Sequence, residues 1–211
     1  MKKTKLQCEL EKKQDNSLKI AKQAISDRKL IPELMAGISS ETAGVRFKSA
    51  KILRMISEQD PNVLYSRMDF FIDLLKHDNN IIKWNAQDVI ANLTAVDKKD
   101  KFNKIFNKYY NGLYEDSMVT AAHVVDNSGA IAVAKPKLQT RITNELLNID
   151  KTSHSSECKN ILKGKAILSF QKYYEQVRNK DQISKFVKKQ LKNQRPATKK
   201  KAEKFLKKYS D

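Results

Sequence analysis

The chain has 211 residues, a formal net charge of +18 and 40% hydrophobic residues, but only 5 glycines and 4 prolines. So few turn-formers exclude a collagen-like, low-complexity or turn-rich all-β chain, and no apolar run approaches the roughly 18 residues that a membrane helix needs. The basic start, Met1 to Leu6, has no apolar stretch after it, so no secretory signal is expected and the expected location is cytoplasmic.

Residues 2–14 and 17–28 read as two short helices, with Asp15-Asn16-Ser17 as the break and N-cap between them. Leu18, Ala21, Ala24 and Ile25 give the second a narrow apolar stripe, and residues 1–29 are expected to form a basic N-terminal helical cap. From residue 30 to 211 the helices come in pairs, expected to build one repeat array. The first pair is 31–38, with Pro32 near its start where a missing N–H is no loss, and 41–58. Asp60-Pro61 then opens a helix to about His77, with Leu64, Met68, Phe71, Ile72 and Leu75 on its apolar face. Its partner covers 80–95, after the turn Asp78-Asn79-Asn80. The third pair is 99–111 and 116–133, the fourth 136–149 and 156–177, the fifth 180–192 and 196–209. Ile183, Phe186, Val187 and Leu191 are expected on the apolar face of the helix that opens the fifth pair. Every segment has helical apolar spacing and none alternates as a strand does, so the expected fold class is all-α.

The second helices of the pairs share a pattern, a small residue followed by apolar residues three, four and seven positions on. It reads Ser49, Ile52, Leu53, Ile56; then Ala86, Val89, Ile90, Leu93; then Ala121, Val124, Val125; then Gly164, Ile167, Leu168; and Ala202, Phe205, Leu206, Tyr209. The small residues lie 37, 35, 43 and 38 positions apart, and a period of that size marks a helical solenoid. Trp84 aligns by repeat with Phe47, Val119 and Leu162, and all four are expected to be core-type residues.

Charge is unevenly spread. Residues 1–29 carry nine Lys/Arg against four Asp/Glu, residues 30–150 fifteen of each, and residues 151–211 eighteen against five. Such an asymmetry points to an acidic partner, either nucleic acid or an acidic protein face, or else to a solubilising terminal cap. The C-terminal cations Lys188, Lys189, Lys192, Lys199, Lys200, Lys201, Lys204 and Lys208 interleave with apolar positions, as lysine-rich outer faces of two amphipathic helices. Lysine predominates over arginine, which suits diffuse phosphate attraction better than base reading. Cys8 and Cys158 lack metal-type spacing and are expected to be free thiols. His77, His123 and His154 have no ligand spacing, and no phosphate loop or nucleophile elbow occurs, so neither enzyme activity nor a cofactor or metal is expected.

Paired helices, a period near 38 and the motif Glu41-x-x-x-Val45-Arg46-x-x-Ser49-Ala50-x-x-Leu53 resemble HEAT and armadillo repeat proteins. Asp78-x-x-x-Ile82-Lys83-x-x-Ala86 repeats that motif, whereas Met118 stands at the Lys83 position of the third repeat and Gln194 where the fifth would carry its acid. The resemblance implies a right-handed α-α superhelix, a solenoid of about five helix pairs. It also implies an inner face on which armadillo proteins hold an extended peptide through asparagines. Ala91-Asn92-Leu93 looks like that asparagine motif and Asn127 falls in the same register, so the two are expected side by side. Asp88 and His123 stand one turn earlier, where armadillo proteins carry Trp, and Lys51 belongs to the repeat before. The alternative is that these polar residues face solvent or bond across the helix seam. HEAT-like DNA glycosylases use a Trp, an Asp and an Arg on that face, and Trp84 with Asp88 resembles part of the set, but Ser117 to Asn127 holds no Arg. The reading is therefore a scaffold that binds an acidic protein through its concave face and basic C-terminal end, with nucleic-acid binding as the alternative.

Overall fold

The computed structural model describes residues 4–178 and 180–209, which form α-helices joined by turns and short 3-10 segments, with no strand among the described residues. The chain divides into two compact units, Met1–Lys99 and Asp100–Asp211.

The first unit holds α1 (Lys5–Glu11), α2 (Ser17–Ser26), α3 (Ile31–Gly37), α4 (Ala43–Gln59), α5 (Asn62–Tyr65), α6 (Met68–Leu74) and α7 (Asn80–Leu93). Thr4 opens α1 with a reciprocal cap, its hydroxyl accepting from Gln7 N–H while the Gln7 side chain accepts from Thr4 N–H. Asn79 caps α7 by accepting from the N–H groups of Ile81 and Ile82. The long helix α4 lies between α2 and α7, with α1 and α3 also packed on it and α6 packed on α7. The cap helices are thus part of this unit. Ile52, Leu53, Ile56, Ile90 and Leu93, all fully buried, form the seam.

Two expectations in this unit fail. Leu18 is 51% exposed. The stripe of α2 that packs inward is Ser17, Ile20, Ala21 and Ala24, an i, i+3, i+4, i+7 set that turns Leu18 away from α4. The helix expected from Asp60 to His77 is broken at Ser66 and Arg67, where Arg67 leaves helical geometry with φ −104° and ψ 12°. In an unbroken helix Val63 would point roughly 120° away from the stripe of Leu64, Met68, Phe71, Ile72 and Leu75, at about 100° per residue. The break lets Val63 and the whole stripe be buried together.

The second unit holds α8 (Lys101–Tyr110), α9 (Met118–Ala134), α10 (Gln139–Leu147), α11 (Ser156–Gln171), α12 (Lys180–Lys189) and α13 (Pro196–Tyr209). Asp100 starts it at φ 52°, the one non-glycine with positive φ among the described residues, a conformation Asp tolerates better than most. Ser117 and Ser155 cap α9 and α11 through their hydroxyls, accepting from Thr120 and Cys158 N–H. α11 packs between α9 and α13, α10 lies on α9, α11 and α12, and α12 lies on α13. Phe102, Phe106, Tyr109 and Tyr110 form one aromatic cluster, and Phe170, Tyr173, Tyr174, Phe186 and Phe205 line the core further along the chain. Within it the hydroxyls of Tyr110 and Ser128 meet at 3.0 Å and those of Thr143 and Tyr173 at 2.9 Å, which satisfies both phenols in the interior. Burial pushes both phenols far above the ordinary tyrosine range.

The small residues that begin the repeated pattern, Ser49, Ala86, Ala121, Gly164 and Ala202, are all buried, as helices in close contact require. A similar close approach occurs at Gly129 of α9, where an added Cβ would meet the Ser169 carbonyl oxygen of α11 at 2.8 Å. Three apolar residues expected on core-facing stripes are instead exposed: Val119 at 41%, Leu168 at 41% and Leu191 at 37%. The cause is a one-sided burial of their helices. On α9 the stripe Ala121, Val124, Val125, Ser128 and Ala132 fills the core and leaves Val119 on the opposite side.

Candidate functional site

Several polar side chains that link neighbouring helices pair residues 35 to 39 positions apart. In the first unit Lys51 of α4 meets Asp15, which precedes α2, at 2.7 Å, a separation of 36 residues. Arg54 of α4 lies 3.9 Å from Asp88 of α7. Asn92 of α7 donates from Nδ2 to Ser57 Oγ of α4 at 2.9 Å, a separation of 35 residues. The hydrogen bonds from Lys51 and then from Ser17 hold the Asp15 carboxyl well below its usual range. The three candidate residues of this unit, Lys51, Asp88 and Asn92, are therefore each joined to a neighbouring segment.

Trp84 and Asp88 share α7, and the guanidinium near Asp88 is that of Arg54, from the preceding second helix. Trp84 is half-buried, in contrast to the core position expected of it, while Leu162 at the aligned position is fully buried. His123 and Asn127 lie one turn apart on α9 in the second unit, both half-buried. Asn92 and Asn127, expected side by side, belong to two different units, the first to Met1–Lys99 and the second to Asp100–Asp211. Both cysteines are free. Among the described residues no group of three or more His, Cys, Asp or Glu is placed to hold a metal ion. No helix among them is long and apolar enough to cross a membrane.

The C-terminal lysines behave differently. Lys188, Lys189, Lys192, Lys199, Lys200, Lys204 and Lys208 are exposed, and none of them is paired with a carboxylate among the described residues. Two of the acids in this stretch are engaged by other bases: Glu157 faces Arg195, and Glu175 meets Lys180 at 3.5 Å. The Lys208 ammonium stands 4.9 Å from the centre of the Tyr209 ring. Lys201 is half-buried, and its ammonium is lowered first by burial and next by the nearby charge of Lys165, with Asp126 opposing both. Lys165 of α11 is itself paired with Asp126 of α9. This α9–α11–α13 link was not legible in the sequence, because Lys165 and Lys201 look like any other solvated lysines on an amphipathic helix.

No protein-family model matches the chain, and no curated protein matches it.

Proposed function

We propose that this chain is a non-enzymatic HEAT/armadillo-type repeat protein, a right-handed α-α solenoid, that binds an acidic protein partner through its lysine-rich C-terminal end in the cytoplasm. The repeat reading is supported by the second helices, α4 against α7 and α11 between α9 and α13. It is also supported by cross-helix pairs one period apart, such as Asp15–Lys51 at 36 residues, Ser57–Asn92 at 35 and Glu157–Arg195 at 38. Solenoids of this kind build extended binding surfaces.

One observation carries the binding reading: seven exposed lysines of the last helix pair have no carboxylate partner among the described residues, whereas Lys51, Asp88 and Asn92 have partners on neighbouring segments. Unneutralised cations gathered at one end raise the local concentration of anions and speed encounter with an acidic surface. A protein is favoured over single-stranded nucleic acid because nonspecific single-strand binding relies on aromatic platforms for the bases. On α12 and α13 the aromatic rings, Phe186, Phe205 and Tyr209, are buried or half-buried.

Fluorescence anisotropy tests this reading with two labelled probes, an acidic peptide of alternating Glu and Ser and a short duplex DNA, each over a salt series. The peptide is expected to bind and to weaken as salt rises. The quadruple variant Lys199→Glu, Lys200→Glu, Lys204→Glu and Lys208→Glu abolishes that binding, and Asn92→Ala leaves it intact. DNA binding much tighter than peptide binding, with a steep salt slope, transfers the proposal to nucleic acid. No binding of either probe at low salt reduces the lysines to a solubilising cap.

A further inference from the structure

Seven large hydrophobic side chains stand exposed among the described residues, and three of them, Val119, Val133 and Leu168, lie on α9 and α11. Scattered exposed apolar residues need no explanation. These three are not scattered. Val119, Asp126 and Val133 are spaced by seven on α9, which keeps them within about 20° of one line per step at 100° per residue. Leu168 follows half-buried Ile161 by seven on α11, interleaved with Lys165 and Lys172.

Two contacts hold these lines side by side. Lys165 pairs with Asp126, the middle of the α9 line. The Lys172 side chain lies against Gly129, so close that a Cβ there would meet Lys172 Cδ at 2.7 Å. α13 packs along α11, with Lys201 near enough to Lys165 for the two like charges to repel. The result, within the second unit, is a surface with aliphatic side chains on α9 and α11, lysines between them, and the exposed Lys204 and Lys208 on α13 beyond.

We infer that this α9–α11–α13 face is the seat of an acidic amphipathic helix, which lays its apolar side on Val119, Val133 and Leu168 and its carboxylates on Lys172 and Lys204. This rests on the proposed function, and it names the partner's chemistry. The occupant follows from what the face displays. Nucleic acid offers nothing for aliphatic side chains to bury against, and these three lines carry no exposed aromatic residue for bases. A second copy of the chain, at +18, brings the same excess of positive charge and repels. A helix with apolar anchors at i, i+3 or i+4, and i+7, flanked by Glu and Asp, matches both parts of the surface. The fourteen steps from Val119 to Val133 span about 21 Å at 1.5 Å per residue, the length of four helical turns in the partner.

The test is selection of a phage-displayed library of random 16-residue peptides on the full chain, followed by anisotropy with the selected peptides. The expected peptides are rich in Glu and Asp and repeat apolar residues at helical spacing. They should lose about tenfold in affinity on the double variant Val133→Ser and Leu168→Ser, with an unchanged circular dichroism spectrum and melting temperature. Acidic peptides with no apolar periodicity, indifferent to the serine variant but lost on the four C-terminal Lys→Glu changes, overturn this inference and leave the charge-based function standing. Selected peptides with no acidic enrichment overturn both. Concentration-dependent dimers that the serine variant abolishes would make the face a self-contact instead.

Discussion

The α4–α7 seam of the first unit and the α11–α13 end of the second are both made by second helices lying side by side, yet they treat their polar residues in opposite ways. Along the first, Arg54, Ser57, Asp88 and Asn92 are drawn into pairs across the two helices, and Lys51 of α4 reaches the other way to Asp15 before α2. Along the second, Thr198 donates to the Asn160 carbonyl at 2.7 Å and Arg195 reaches Glu157, but the exposed lysines further out have no carboxylate among the described residues. The difference follows from composition, since residues 30–150 carry equal numbers of acids and bases whereas residues 151–211 carry eighteen bases and five acids. A polar residue with a partner one repeat away holds neighbouring helices in register. One without a partner is available to another molecule. Exposed pairs contribute only about 0–1 kcal/mol each, so the seam pairs set alignment more than stability.

Five substitutions sharpen that contrast. Phe205→Ala should cost most, about 3–5 kcal/mol in chemical denaturation, because the ring is fully buried and packs at 4.9 Å from Tyr174 and 4.7 Å from Tyr209. Gly129→Ala comes next. Its Cβ meets backbone of α11 at 2.8 Å, and forcing the helices apart is expected to cost about 1–3 kcal/mol despite the better helix propensity of alanine. Gly44→Ala, with nothing within 4 Å of the new Cβ in α4, should stabilise by about 0.5 kcal/mol instead, which melting temperatures of the two variants will separate. Asn92→Ala removes one bond to Ser57 and should cost about 1 kcal/mol, because Ser57 keeps its own bond to the Arg54 carbonyl at 2.7 Å. The four exposed C-terminal Lys→Glu changes should leave unfolding within about 0.5 kcal/mol per site, although they abolish binding.

Alkaline pH adds a test of Tyr114. Burial, then the charge of Glu145 and its 3.0 Å hydrogen bond from the phenol, push this group up to about 12. A raised phenol favours the protonated folded state, so its contribution is present below the ordinary value near 10 and fades as pH rises through 12. Ultraviolet titration should show a late tyrosine step near pH 12 that disappears in Tyr114→Phe.

Helix positions were legible because their signals are local. Pro196 opens α13, and Asn79 and Ser117 cap α7 and α9. The small-residue pattern likewise located the buried side of each second helix, since close packing excludes larger side chains at Ala86 or Gly164. The break in α5–α6 escaped notice because 64, 68, 71, 72 and 75 make a complete helical stripe by themselves. The site was harder to read. In sequence Asn92 and Lys204 are equally polar, and what separates them is whether a partner waits about one repeat away. Val119 and Leu168 failed as core residues for the reverse reason, because an apolar residue at a periodic position need not be covered.

The short reach of the cross-helix bonds has a consequence during synthesis. Ser57 finds Asn92 only 35 residues later, Asp126 finds Lys165 after 39, and Asn160 finds Thr198 after 38. At about 5–20 residues per second, each helix pair emerges roughly 2–8 seconds after its predecessor and can bond to it at once. The lysine-rich pair, translated after these helices, is added to segments that are already bonded, so its excess charge does not oppose their assembly.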